Sequence, residues 1–352
     1  MRHSIIGRRS VTGRGALSNP PGRFDKQQLA EVDDGWYQDE VPESIPTTLE
    51  PDRARSVIAT NDSPDIPFEQ SINPYRGCSH GCVYCYARPS HAYIGLSPGL
   101  DFETRLFYKA DAAKMLEAQL ARPGYLCKSI TLGANTDPYQ PVERSMKVSR
   151  AILEVLRRTR HPVAIITKSA LVLRDLDLLT DLARDRLASV AVSVTTLDPE
   201  LKRVMEPQAA SPQARLRTLA ALAAAGIPTS VMAAPMIPAL NDQELESILE
   251  AAAAAGARWA GYVLLRLPYE IKDLFREWLA QHYPDRAAHV MSLIRDMRGG
   301  RDYDSSFGTR MRGTGPYAQL LSSRFRLACR RLKLNAEPRE PLNTALFRPP
   351  AP

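Results

Sequence analysis

No stretch of the sequence is long and apolar enough to cross a membrane. The most apolar region, around residues 219–240, is broken by Gly226, Pro228, Pro235 and Pro238, which suit a helix, a turn and a strand. The opening run Met1-Arg2-His3-Ser4-Ile5-Ile6-Gly7-Arg8-Arg9 has too short an apolar core for a secretory signal, so a cytoplasmic protein with no membrane partner is expected. A disulfide scaffold is a poor account, because the 352 residues hold an odd five cysteines, three of them within eight positions. Neither Gly-x-Gly-x-x-Gly nor a Walker phosphate loop occurs, so nicotinamide and nucleoside-triphosphate chemistry have no support. Glycine (19) is scarcer than proline (28), which points to ordered turns and extended segments. With 44% hydrophobic and 24% charged residues, wholesale disorder is excluded.

The net charge of +7 is unevenly placed: residues 1–31 carry +4, residues 297–352 carry +7, and the middle is −4. Residues 1–65 show no sustained periodicity and end in turn chemistry, so they read as an extended basic and proline-rich segment without its own core. Beyond them, short β-branched runs alternate with amphipathic helical stretches. The runs are about 69–74, then Ser129–Gly133, Val163–Thr167, Ser189–Thr196, Thr229–Met232 and Trp259–Leu265. Ser211-Pro212 supplies an N-cap and first-turn proline, Gly226 a stop, and Asn241 with Glu244 resembles a capping box for a helix over 242–255. Six strand-helix units fall short of the eight that close a barrel, so a partial α/β barrel over 66–298 is expected, with 299–352 a basic extension. An open doubly wound sheet is the alternative; in both, ligands bind at the carboxyl ends of the strands.

The chemistry concentrates in Asn73-Pro74-Tyr75-Arg76-Gly77-Cys78-Ser79-His80-Gly81-Cys82-Val83-Tyr84-Cys85-Tyr86-Ala87-Arg88. Its C-x3-C-x2-C spacing would arise by chance roughly once in a thousand such chains. Three thiolates on one compact loop can hold three irons of a [4Fe–4S] cubane and leave the fourth free. The alternative is zinc with His80 or His91 as fourth ligand, in a zinc-stabilised nucleic-acid-binding protein without catalysis. Cys127 and Cys329 read as structural, Cys127 at the amino end of its strand.

This cysteine pattern, with Tyr84 just before the third cysteine, resembles the radical S-adenosylmethionine (SAM) superfamily. The string from Ser63-Pro64-Asp65-Ile66-Pro67 through Cys85-Tyr86-Ala87-Arg88 is similar to its branch related to spore photoproduct lyase, often labelled DNA repair photolyase. The resemblance covers about residues 60–300. It implies a [4Fe–4S] cluster on Cys78, Cys82 and Cys85, and SAM chelating the open iron. It also implies reductive cleavage of SAM to a 5′-deoxyadenosyl radical, an electron donor such as flavodoxin or ferredoxin, and Tyr84 beside the adenine. A nucleic-acid substrate follows from the lesion-repairing relatives and from the basic ends; a small molecule or polypeptide is the alternative. Those relatives use a nearby cysteine as hydrogen donor, for which Cys127 is badly placed.

The strand ends supply the cofactor candidates. Gly133-Ala134-Asn135-Thr136-Asp137-Pro138 stands where many radical SAM enzymes have Gly-Gly-Glu, so Asn135, Thr136 and Asp137 are the candidate contacts for the methionyl amino group. A self-satisfied Asx-turn is the bland reading. Lys168 can place a charge on the cofactor carboxylate, or be a solvated strand-end lysine. Ser193 and Thr195 share a face by the period of two and can reach ribose hydroxyls, although threonine favours strands without a ligand. Met236-Ile237-Pro238 can contact adenine or pack in the core, and the basic loop Arg310–Tyr317 can meet a phosphate or cross the barrel.

Overall fold

A computed structural model describes residues 11–25 and 44–350. The basic residues Arg2, Arg8, Arg9 and Lys26 of the N-terminal segment lie outside the described residues. In chain order the strands are β1 (Thr48–Pro51), β2 (Ile58–Thr60), β3 (Gln70–Ile72), β4 (Tyr75–Arg76), β5 (Arg105–Tyr108), β6 (Ile130–Leu132), β7 (Val163–Thr167), β8 (Ala188–Ser193), β9 (Thr229–Met236) and β10 (Trp259–Leu264). The helices are α1 (Leu100–Thr104), α2 (Ala112–Leu120), α3 (Glu143–Met146), α4 (Val148–Arg158), α5 (Leu176–Arg184), α6 (Pro199–Met205), α7 (Pro212–Ala224), α8 (Leu245–Ala254), α9 (Ile271–His282), α10 (Pro284–Asp296) and α11 (Gly315–Arg331).

β3, β6, β7, β8, β9 and β10 run parallel and neighbour one another in chain order, with β2 antiparallel on the outer side of β3. A doubly wound sheet reverses its strand order at a switch point; this one does not, which is the arrangement expected of a partial six-stranded α/β barrel. The register places Ile72 beside Leu132, Leu132 beside Ile165, and Ser193 beside Met232. Outward-facing Ile72, Leu132, Ile165, Val192, Val231 and Leu264 are buried with helix residues such as Leu116, Ile152, Leu179, Leu219 and Leu249 in one core. A smaller sheet in the order β1-β5-β4 stands beside it.

Local signals set most boundaries. The Ser211 hydroxyl accepts from Ala214 N at 3.2 Å, with Pro212 opening α7. The expected capping box of Asn241 and Glu244 does not form. Asn241 accepts from Ile237 N (2.6 Å) and donates to Thr195 O (2.6 Å) and Pro235 O (3.0 Å). Glu244 accepts from the Thr196 hydroxyl and Leu197 N, both at 2.6 Å. Both side chains are drawn to the end of β8, and a 3-10 turn, Asp242–Glu244, precedes α8.

A second core fixes the mouth of the barrel. Val83 and Tyr84 of the cysteine loop pack there with Met205, Ile237, Leu267, Phe275 and Trp278, which ties the loop to α6, α9 and α10. Fully burying one such side chain stabilises by about 1.5–3 kcal/mol, so the loop is anchored by packing as well as by hydrogen bonds. Across the open side, Met311 O accepts from Leu264 N at 2.9 Å, beside the edge strand β10. Arg310 pairs with Asp65, in the turn between β2 and β3, whose carboxylate also accepts from Gly308 N at 2.7 Å. The segment around Arg310 therefore crosses the gap between the two barrel edges.

Candidate functional site

The cysteine loop leaves β4 through Gly77, whose φ of +74° is left-handed and whose absent Cβ would meet Phe102 O at 2.9 Å. Cys78 N donates to Phe102 O (2.9 Å), and Ser79 N donates to the Gln140 side chain (2.8 Å). Arg88, fully buried, donates to Cys82 O (2.9 Å) and Gly99 O (2.9 Å) and pairs with buried Glu103. Glu103 in turn accepts from Gly15 N (2.9 Å) and Ala16 N (2.8 Å), so residues 11–25 are strapped against the loop. These polar contacts fix the loop backbone, which leaves the thiols as its unspent chemistry.

Cys78 and Cys82 are buried and Cys85 is half-buried. Burial first, then Asp137 and Cys85, push the Cys78 thiol up to about 12. Burial and Glu206 raise Cys82 well above the ordinary thiol value, and burial raises Cys85. Three mutually interacting thiols, two of them buried, resist ionisation until a positive centre is supplied, which is what a metal cluster does. Among the described residues no three His, Cys, Asp or Glu side chains converge on one point as ligands of a single ion do. Cubane ligands need not converge, since each meets its own iron. The zinc alternative needs a fourth ligand, and each candidate histidine has one ring nitrogen engaged, while His91 Nδ1 is buried with no partner among the described residues. His80 Nδ1 faces Asp137 at 3.5 Å, and His91 Nε2 lies 3.0 Å from Arg105 O. The donor set fits a cubane.

The strand ends meet this loop. Asp137 accepts from the Thr167 hydroxyl (2.7 Å), Lys168 N (2.7 Å) and Tyr139 N (2.9 Å), and faces His80, so the Asx-turn forms and the carboxylate is filled by protein donors. The Thr136 hydroxyl donates to Tyr75 O (2.9 Å). Asn135 is exposed, and its backbone N–H donates to the Asn73 side chain at 2.8 Å. Lys168 is not a solvated strand-end lysine: its ammonium lies 3.8 Å from Glu206 and 5.8 Å from the centre of the Tyr84 ring. The Thr195 hydroxyl donates to Glu206 at 2.7 Å, and the Tyr84 hydroxyl also bonds Glu206. Ser193 offers its carbonyl to Arg215 at 3.1 Å, while its hydroxyl has no partner among the described residues. Met236, Ile237 and Pro238 are buried in packing.

The hub of these contacts, Glu206, carries no local motif. Burial pushes its carboxyl up, but Arg215, Lys168 and the Tyr84 hydroxyl outweigh that and hold it at about 2, an ionised group with a buried guanidinium partner. Glu103, Gln140 and Arg215 carry no local motif either. A buried charge with its partner 9 to 15 residues away leaves no periodic trace, and the one local signal is Arg88, which closes the cysteine string.

Comparison with known proteins gives a consistent picture. The family description "Radical SAM superfamily" matches residues 72–252. An uncharacterized protein of Mycobacterium tuberculosis (strain H37Rv) is 40% identical over 232 residues, 65% of this chain and 68% of the relative. One of Methanocaldococcus jannaschii is 28% identical over 214 residues, 61% of this chain and 76% of that one. Among solved structures, spore photoproduct lyase complexed with dinucleoside spore photoproduct aligns at a TM-score of 0.57 and 15% identity, covering 81% of this chain and 79% of that one. A variant of that lyase with bound AdoMet and dinucleoside spore photoproduct aligns at 0.55 and 15%, covering 81% and 78%. At that identity the likeness is one of fold.

Proposed function

Because the chain belongs to the radical SAM superfamily and is one of its enzymes, we propose that Cys78, Cys82 and Cys85 hold a [4Fe–4S] cluster and that the protein cleaves SAM reductively to a 5′-deoxyadenosyl radical that acts on a nucleic acid. The observation that carries the first part is the set of three interacting thiols on one loop, two buried and one half-buried. When bound, the cluster and SAM supply radical chemistry, with the electron coming from a small donor such as flavodoxin or ferredoxin.

The chain's own residues bind, orient and shield. Lys168 keeps ammonium donors for the methionyl carboxylate, and Ser193 and Asn135 keep unspent side chains for ribose and amino-group contacts. Asp137, Thr136 and Thr195 act as buttresses, since their oxygens already hold the loop and Glu206. Tyr84, braced by Glu206, walls the site beside Lys168.

A nucleic-acid substrate is supported by the fold shared with a lyase solved with a dinucleoside photoproduct. No fourth cysteine among the described residues stands at the mouth to serve as a hydrogen donor. Cys127 lies on the loop before β6 at the amino end, and Cys329 on α11. Metal analysis tests the cluster assignment. Anaerobically reconstituted protein is expected to contain iron and acid-labile sulfide, and Cys82→Ala to lose both; stoichiometric zinc in a colourless folded protein would overturn it.

A further inference from the structure

One cation at the mouth of the barrel makes no ion pair among the described residues, and from it we propose that Arg266 is the receptor for an anionic group of the substrate, a nucleic-acid phosphodiester. The proposal rests on the nucleic-acid reading and gives it a residue. Arg266 follows β10 at the carboxyl end of the barrel, and its guanidinium lies 5.2 Å from the centre of the ring of Tyr86, the residue after Cys85. Among the described residues its one hydrogen-bond partner is the weakly accepting Met311 Sδ at 3.4 Å, and its Nε is buried with no partner at all.

The neighbouring arginines are differently placed. Arg310 is paired with Asp65, and Arg298 donates to the carbonyls of Thr309 (3.0 Å) and Leu265 (2.9 Å). Arg298 is close enough to feel the charge of Arg266, and although Asp304 acts on Arg298 and the Arg310-paired Asp65 on Arg266, no carboxylate is in ion-pair contact with either guanidinium among the described residues. Burying a donor unpaired beside a like charge is unfavourable unless an anion completes the site, and few native groups are left so. A planar guanidinium matches two phosphate oxygens at once.

Access fits a long substrate. Tyr86 is 45% exposed, and its hydroxyl reaches Ala134 O just after β6, while Arg266 lies just after β10. The pair therefore stands at the carboxyl-end mouth, between the end of β6 and the chain after β10. A polynucleotide can meet the cluster loop there without threading the barrel.

The test measures binding of a labelled single-stranded thymidine decamer to the reconstituted holoenzyme with SAM present, over a range of salt. Arg266→Ala is expected to weaken binding about tenfold or more and to lower the slope of log affinity against log salt by roughly 0.7, the loss of one phosphate contact. Arg266→Lys, which keeps the charge, should retain the slope, and both variants should keep wild-type iron content and SAM affinity. If Arg266→Ala loses iron, Arg266→Gln replaces it. An unchanged slope with intact wild-type binding overturns the assignment but leaves the nucleic-acid reading standing. Loss of SAM affinity instead moves the arginine to the cofactor and also overturns it. Failure of the wild type to bind at low salt overturns the nucleic-acid reading and this proposal with it.

Discussion

A carboxylic acid sealed from water ordinarily keeps its proton, yet Glu206 is fully buried and ionised because Arg215 and Lys168 face it. Glu206→Gln strands the Arg215 charge and is expected to cost about 3–5 kcal/mol, read as a lowered urea midpoint at pH 7. The sign of the pH effect follows. A carboxyl held at about 2 when folded and 4.5 when unfolded contributes stability that is complete above 4.5 and lost as pH falls towards 2. Wild type should therefore lose more stability than Glu206→Gln between pH 5 and pH 3 in the metal-free protein. Lys168→Ala should weaken SAM binding by about 1.5–3 kcal/mol with the iron content unchanged, measured by equilibrium dialysis. The cysteines were legible because C-x3-C-x2-C is local. Glu206 was not, because its partners Tyr84, Lys168 and Arg215 come from separate elements that only the folded chain brings together.

Strands were legible for the same reason that the buried charges were not. Val163–Thr167 and Trp259–Leu264 announce themselves by runs of apolar and β-branched residues within one segment. Residues 11–25 show no such run, and their packing is set by distant groups: Glu103 accepts from Gly15 and Ala16, and Gly15 lies so close to the loop that a Cβ would stand 1.8 Å from Gly81 O. The segment covers the cysteine loop as a strap. Gly15→Ala cannot keep that contact and is expected to destabilise by about 1–3 kcal/mol, the usual range for overpacking. Its iron–sulfur absorbance should also bleach faster than wild type in air. Equal bleaching would show that the strap does not shield the cluster.

Over the whole molecule the +7 of residues 297–352 is not a free basic tail. Arg301, Arg310, Arg324 and Arg331 are in ion pairs with Asp304, Asp65, Glu246 and Glu250. Beyond α11 the chain runs beneath the barrel. Asn335 N donates to Arg258 O (3.0 Å), Asn343 N to Arg186 O (3.0 Å) and Arg348 N to Thr159 O (2.8 Å), all at the amino ends of strands. The basic extension thus seals the end of the barrel remote from the cysteines. The proposed attraction for a polyanion rests instead on the mouth, where Arg266 stands. No helix among the described residues is long and apolar enough to cross a membrane, in line with the broken apolar region seen in the sequence.

The central claim is that three cysteines leave one iron open for SAM at the mouth of this barrel. Its most direct test is release of 5′-deoxyadenosine and methionine from SAM by anaerobically reconstituted protein reduced with dithionite. The wild type should form both products, and Cys78→Ala, Cys82→Ala and Cys85→Ala neither. Equal product from wild type and the three variants, or none from a wild type with a full complement of iron and sulfide, would contradict it.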